Sequence, residues 1–373
     1  MDEKKDHGAD HDDRSLGFGT RAVWGGEEGQ FWEGATQVPV VHSVTFGFDD
    51  LDDWLEVGAG RAPGHIYSRN TNPTVAVFEE KMRVLEDAEA ATSFATGMAA
   101  VSNTLFALLE PGKRVVSIRD TYGGTSRIFL EFLPRWGAEV ELCATEDHEA
   151  IEAAIGRGCD LLYLETPTNP TLKVLDLQRL AAAGHAQGAT VVVDNTFATP
   201  LNQRPLELGA DLVLHSATKF LGGHSDAMGG VVCGRRDLID TIFRFREING
   251  ATLAAPVAYF LIRSLKTLEL RVERQNANAM ALARFLDGHP AIERVFHPGL
   301  ESDPGHEIAS RQMRGYGGML SFDLRGDMDD VRRVLSRLRF AHRAASLGSV
   351  GTLIGPPAVT SHVELTPEAR AEL

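Results

Sequence analysis

The sequence is short of cysteine, of basic clusters and of long apolar runs, and each shortage closes off a class of function. Cys143, Cys159 and Cys233 are its three cysteines, dispersed and set among apolar residues. They form no disulfide framework and are expected to be reduced core residues of a cytoplasmic protein. No block of Lys and Arg interrupts a 373-residue chain whose formal net charge is −15. Nucleic acid and anionic membranes are therefore not expected partners. The longest apolar run, Leu253 to Ile262, holds ten residues including Pro256, against the roughly 20 that a membrane-spanning helix needs. Met1 to Arg14 is charged throughout, so no secretory signal is expected. Internal repeats are absent as well.

What is present is an alternation of strand-like and helical segments. Met1 to Arg14 has almost no apolar residue and is expected to be a disordered acidic tail. Its His7 and His11 read as part of that solvated tail, and no metal ion is expected. Residues 15–64 mix aromatics, glycines and isolated apolar pairs without a helical period, which suggests an extended arm lying on another subunit. Asn72-Pro73 caps a helix ending near Asp87, with Phe78, Met82 and Leu85 at helical spacing. Ala91 to Ala100 then runs into an apolar helix reaching Leu109. Strands are expected at Arg114 to Ile118, Glu139 to Cys143, Leu161 to Leu164, Val191 to Val193, Leu212 to Leu214 and Val231 to Cys233. Asp176 caps a helix over Leu177 to Ala186. This pattern implies an α/β fold with a mainly parallel sheet flanked by helices over residues 65–255. A smaller α+β C-terminal domain is expected over 256–373. It would hold one long helix from Ala258 to Leu286, a strand at Gly317 to Leu324 and a helix at Asp329 to Leu338.

In open α/β sheets ligands collect at the carboxyl ends of the strands. Here those ends carry Tyr122, Glu165 with Asn169, Asp194, and Ser216 with Thr218 and Lys219. A lysine on a strand-end loop beside hydroxyls is a candidate Schiff-base amine, because burial lowers its pKa. Gly97-Met98 opens a helix whose amides can hold a phosphate. Asp194 suits a buried cation. A phosphate site, an acid for a ring nitrogen, an aromatic platform and an amine are what pyridoxal 5′-phosphate needs from a protein.

With these residues in place the sequence resembles the trans-sulfuration (Cys/Met metabolism) family of pyridoxal-phosphate enzymes. The likeness runs from Thr20-Arg21-Ala22-Val23 to Ser346-Leu347-Gly348, nearly the whole chain. Its most specific stretches are Tyr67-Ser68-Arg69 with Asn72-Pro73-Thr74, Thr96 to Ala100, Tyr122 to Thr125, Val193 to Phe197 and His215 to Lys219. The resemblance implies the aspartate-aminotransferase-like fold type I, with 65–255 as the cofactor-binding domain. It implies that Lys219 is the Schiff-base lysine and proton shuttle, that Asp194 keeps the ring nitrogen protonated, and that Tyr122 stacks on the ring and exchanges a proton with the substrate or leaving group. Gly97, Met98, Ser216 and Thr218 are implied phosphate ligands, and Thr196 is carried over with Asp194 as part of the cofactor site. Tyr67 and Arg69 are expected to complete that site from a neighbouring subunit, in a homotetramer built from dimers. Asn169 is implied near the ring hydroxyl and the substrate carboxylate, with Ser346 beside that carboxylate. Tyr67 is also an implied substrate contact.

The implied reaction is γ-elimination or γ-replacement on a γ-substituted L-amino acid. Alternatives are a γ-lyase for a non-sulfur leaving group, such as a γ-halogenated amino acid in specialised metabolism, or a β-lyase. A non-catalytic protein of this fold is the remote case, since Lys219 and Asp194 are both present. Three departures matter. Methionine γ-lyases of the family usually carry cysteine where Gly124 stands, which counts against that activity. Many members carry a glutamate where Gly351 stands. Finally, the family's carboxylate-binding arginine lies in an Arg-x-Ser-x-Gly motif that the given residues lack, and it is expected beyond Leu373.

Overall fold

The structure is a computed structural model and describes residues 15–27 and 34–360. The tail with His7 and His11 lies outside the described residues. Residues 15–64 are not wholly extended, contrary to the sequence expectation: they contain α1 (Phe18–Trp24) and α2 (Leu51–Gly58). Asp50 caps α2 by accepting from the amides of Asp52 and Asp53, a local signal strong enough to start a short helix without any buried face. The α1 segment is held by charge. Lys81 is fully buried, pairs with Glu27 at 3.0 Å and donates to the carbonyls of Ala22 and Val23. Lys266 pairs with the other oxygen of Glu27 at 2.7 Å.

Asn72 and Pro73 start α3 (Pro73–Glu86) as the cap rule requires, and Asp87 ends it in the left-handed conformation. Phe78, Met82 and Leu85 are completely buried, each contributing about 2 kcal/mol through burial. Next come β1 (Ala90–Phe94), α4 (Gly97–Leu108), β2 (Arg114–Ile118) and α5 (Gly123–Arg127), which continues through a π-helical turn into α6 (Leu133–Trp136). They are followed by β3 (Glu139–Cys143), α7 (His148–Gly156), β4 (Leu161–Glu165), α8 (Leu177–Ala186), β5 (Thr190–Asp194), α9 (Thr199–Asn202), β6 (Leu212–Ser216) and β7 (Gly230–Gly234). The sequence expectation had no strand at β1, whose Ala-Ala-Thr-Ser-Phe lacks the β-branched apolar run of its neighbours.

The seven strands form one sheet in the order β1-β7-β6-β5-β4-β2-β3. β7 runs antiparallel to both neighbours, and the pairs among β2 to β6 are parallel. The connection between β6 and β7 is thus a long hairpin rather than a helical crossover. Strand alternation assigns two faces. Leu161, Tyr163, Val192, Leu212 and Leu214 pack with Ala100, Val101 and Leu105 of α4, while Leu162, Leu164, Val191 and Val193 pack with α7 and α8. Cys143, Cys159 and Cys233 are buried and free.

After α10 (Arg236–Asn249), the single helix expected over Ala258 to Leu286 is two, α11 (Ala255–Leu265) and α12 (Leu268–Asp287). The break has a cause: Thr267 turns its amide and hydroxyl onto the Ser264 carbonyl, while Lys266 reaches Glu27. The remaining elements are β8 (Ile292–Phe296), α13 (His306–Gln312), β9 (Ser321–Leu324), α14 (Met328–Arg337), β10 (Ala341–Arg343) and β11 (Thr352–Ile354). β9 begins four residues later than the sequence pattern suggests. No helix among the described residues is long and apolar enough to cross a membrane.

Candidate active site

Alternation along β4, β5 and β6 puts Tyr163, Glu165, Asp194 and Ser216 on the face covered by α4. Their strand positions are its carboxyl ends, beside the first turn of that helix. Thr96 caps α4 by accepting from the amide of Ala99, so the amides of Gly97 and Met98 have no protein acceptor among the described residues. Gly97 also makes room: a Cβ there would fall 2.6 Å from the hydroxyl of Ser216. The helix start and the end of β6 therefore form a cradle that any larger residue would fill.

Asp194 is buried and bound by donors. Oδ1 accepts from the amide of Thr196 at 3.0 Å and its hydroxyl at 2.5 Å, and Tyr163 reaches Oδ2 at 3.4 Å. Thr196 in turn accepts from the amide of Ser216 at 2.9 Å. No Lys, Arg or His forms an ion pair with Asp194 among the described residues. Burial raises its pKa, opposed by the Thr196 bonds and by the charge of His215. A buried carboxylate without a cation is a costly arrangement until a cation arrives. The ring nitrogen of pyridoxal phosphate fits that need.

Lys219 lies on the β6–β7 hairpin, half-buried, and burial alone lowers its pKa. Its Nζ donates to the Ser346 hydroxyl at 3.1 Å. That contact depends on Gly348, which has φ +80 and sits so close to Lys219 and Phe220 that a Cβ would fall 2.5 Å from the Phe220 amide. Arg271 braces the same turn from α12, donating to the carbonyls of Phe220, Leu221 and Ser264, and burial pushes its pKa down to about 10.

Tyr122 is 45% exposed, and its amide donates to Glu165 Oε2 at 2.8 Å. A Cβ on Gly124 would fall 2.9 Å from the Tyr122 ring and 2.8 Å from the Met98 sulfur, so Met98, Tyr122 and Gly124 are packed together. Thr218 is near but committed: its hydroxyl donates to the Gly229 carbonyl and accepts from the Gly229 amide. To hold a phosphate it would have to turn away from Gly229. Ser216 has no such engagement. Asn169 is half-buried on the loop after β4, with no side-chain hydrogen bond among the described residues.

Tyr67 and Arg69 stand apart. They are exposed on the loop before α3, with the guanidinium over the tyrosine ring at 5.7 Å and donating to the Glu247 carbonyl. No hydrogen bond or ion pair joins them to Lys219 among the described residues. The sequence reading passed over Tyr163, hidden in an apolar run, and left Glu165 without a role although it stood at a strand end. It also assigned nothing to the buried contact of His215 with Glu86, on the opposite face of β6.

Comparison with known proteins gives a consistent result. The family profile described as "Cys/Met metabolism PLP-dependent enzyme" matches residues 19–373. An L-methionine gamma-lyase of Fusobacterium nucleatum subsp. polymorphum is 41% identical over 361 residues, covering 96% of this chain and 91% of that one. An O-succinylhomoserine sulfhydrylase of Pseudomonas aeruginosa is 39% identical, over 97% of this chain and 90% of the relative. A crystal structure of cystathionine gamma synthase from Xanthomonas oryzae pv. oryzae, in complex with cystathionine, superposes with TM-score 0.90. It is 37% identical and covers 96% of this chain and 90% of that one.

Proposed function

The chain belongs to the Cys/Met metabolism PLP-dependent enzymes, and from that premise we propose that it carries out γ-elimination or γ-replacement on an L-amino acid with a thioether or ester at its γ-carbon. It has the fold type I architecture of those enzymes, and its cofactor is pyridoxal 5′-phosphate. The observation that carries the reading is a half-buried amine whose pKa burial lowers and a buried carboxylate with no cation partner among the described residues, on adjacent elements: Lys219 after β6 and Asp194 on β5. The relatives named above act on sulfur or ester compounds by name, and none points to a halide.

When bound, the cofactor supplies an electron sink for charge developing at the substrate's α-carbon. Asp194 would hold a proton on the ring nitrogen, its Oδ2 being met only by Tyr163 at 3.4 Å among the described residues. The amides of Gly97 and Met98, with the Ser216 hydroxyl, would hold the phosphate, and Arg69 and Tyr67 would add to it from a neighbouring subunit. Lys219 Nζ, its pKa lowered by burial, would take the α-proton and then a β-proton, the electron pair of that second C–H bond expelling the γ-substituent. Tyr122 would lie against the ring, and its hydroxyl would hand a proton to the departing γ-group. Asn169 and Ser346 orient the substrate carboxylate, the Ser346 hydroxyl being already within reach of Lys219.

The γ-substituent is neutral or anionic in this reading. Gly351 has no positive φ, and a Cβ there would meet nothing nearer than 3.8 Å, from His342. The position is therefore open rather than a turn that demands glycine, and it offers no carboxylate to a distal ammonium. We place the enzyme in the cytoplasm as a homotetramer of dimers with shared sites. The test is a panel comprising methionine, cystathionine and acyl-homoserines, read by release of 2-oxo acid and ammonia and by mass analysis of replacement products. Product from at least one of them supports the assignment. Amino-group transfer to a 2-oxo acid, with no γ-bond cleaved in any compound, refutes it.

A further inference from the structure

Glu165 belongs to no part of the reaction described so far, yet it occupies the strand between Asp194 and Tyr122. In the sheet order β5-β4-β2 it is paired in register with Asp194, so the two carboxyl groups lie side by side on one face, strands about 5 Å apart. On the other side its Oε2 receives the Tyr122 amide at 2.8 Å. Oε1 has no hydrogen bond among the described residues. Glu165 is 5% exposed and Asp194 8%.

We propose that Glu165 is a positioning residue that is kept as a neutral carboxylic acid: its Oε2 fixes the backbone of Tyr122, its Oε1 carries the proton, and Asp194 is left as the sole anion facing the ring nitrogen. The argument is one of charge balance. The cofactor brings one ring cation to this face, and two adjacent buried carboxylates would leave one negative charge uncompensated. The surrounding groups do not supply a second cation. Tyr163 approaches from β4 and is held neutral, its pKa raised by burial and Asp194. Asp120, after β2, adds negative charge but is itself paired with Lys173, which also pairs with Glu146. His215 faces Asp194 only through the sheet from β6 and is in contact with Glu86. Burial and Asp194 push the Glu165 pKa well above the usual carboxylate range. This is consistent with the geometry.

The inference rests on the proposed cofactor role of Asp194, and the experiment separates the two. Apoprotein stability is measured against pH for wild type and for Glu165→Gln, with no cofactor present. A carboxyl whose folded pKa lies above its unfolded value contributes fully below the unfolded pKa and loses that contribution as pH rises. The Tm advantage of Glu165→Gln over wild type should therefore widen as pH is raised from 5 to 9. A flat or narrowing difference overturns the neutral-acid proposal, whatever the cofactor does. Cofactor affinity then tests positioning. Glu165→Gln keeps an acceptor for the Tyr122 amide and should bind pyridoxal phosphate about tenfold more tightly than Glu165→Ala. Equal affinities overturn the positioning role. A separate loss of the cofactor reading would show as unchanged affinity in Asp194→Asn. Should the variants not fold, wild-type protein carrying ¹³C-carboxyl glutamate decides. A protonated glutamate signal at pH 7 that shifts on adding pyridoxal phosphate supports the proposal, and absence of such a signal overturns it.

Discussion

The residues proposed to serve one reaction are found in two different settings. Asp194, Glu165 and Ser216 sit at strand ends on the face covered by α4, and Lys219 follows on the β6–β7 hairpin, each tied to a neighbouring strand or loop. Tyr67 and Arg69 sit on an exposed loop, the guanidinium over the tyrosine ring and on the Glu247 carbonyl, the Tyr67 backbone bridged to Thr45. The first group is positioned by the fold of one chain. For the second, the nearest comparable order is its own tether: Arg246, buried beneath, donates to the Asn70 carbonyl and pairs with Glu79 at 2.8 Å. An exposed cation and aromatic ring on a loop braced from beneath are what the proposed contribution to a neighbouring subunit's site would use. The difference teaches that the buried residues are positioned by the fold of one chain, whereas the proposed role of the exposed pair depends on assembly.

Substitutions in the buried half should have the largest effect. Lys219→Ala is expected to lower kcat/KM about 10⁴-fold by removing the proton-transferring amine. Asp194→Asn should lower it about 10²-fold or more, since the charge it aims at the ring is lost. Steady-state rates and pyridoxal-phosphate titration check both. Near-normal turnover in Asp194→Asn would move the ring's partner elsewhere.

The exposed half should fail differently. Arg69→Ala is expected to weaken cofactor binding about tenfold, the scale of one charge-assisted hydrogen bond. Mixing Arg69→Ala with Lys219→Ala should restore activity, because one site of a hybrid dimer then has both residues. Failure to recover, with subunit exchange demonstrated by differential labels, would put Arg69 in its own chain's site and abolish the contrast.

A smaller change is expected at the rim. Gly351→Glu introduces a carboxylate into open space and should raise kcat/KM for cystathionine relative to an acyl-homoserine about fivefold, within the range of an exposed to half-buried ion pair. An unchanged ratio would show that Gly351 does not border the distal pocket.

The smallest effect is in stability. The Lys219 pKa is lowered in the fold, so folding releases its proton and loses stability as pH falls through the folded pKa. Lys219→Met apoprotein should be more stable than wild type at pH 7, with the gap closing as pH approaches the ordinary lysine value of 10.5. Thermal melts across that range measure it. A constant gap would mean that packing, not charge, separates the two proteins.

Much of the buried half was legible in the sequence. Strands β2 and β4 to β7 are short runs rich in apolar residues, those of β4, β5 and β6 ending in Glu165, Asp194 and Ser216, and the Asn72-Pro73 and Asp176 caps mark their helices within a residue or so. The rest was not legible for physical reasons. β1 is small and polar, and holds its place by pairing with β7 rather than by its own pattern. The α11–α12 break depends on Glu27, more than two hundred residues away in sequence. Tyr163 reads as one more apolar core residue until its hydroxyl is seen 3.4 Å from Asp194 Oδ2. Thr218 reads as a free hydroxyl until Gly229 is seen to occupy it. Chain-order patterns report what a residue is next to along one strand, whereas these assignments depend on the strand beside it.

The hairpin between β6 and β7 has a consequence for how the proposed catalytic lysine moves. Thr218 is clasped to Gly229 across the hairpin, Lys219 donates its amide to Ser216, and Gly222 and Gly223 close onto Ala217 and Lys219 at 2.8 and 2.7 Å. The lysine backbone is thus stitched on both flanks, and only its four-carbon stem is free to swing. In hydrogen–deuterium exchange the amides of Thr218, Lys219, Gly222 and Gly223 should be as slow as those of the central strands, an unusual persistence for a loop. The catalytic stroke would then be a side-chain rotation about a stationary pivot.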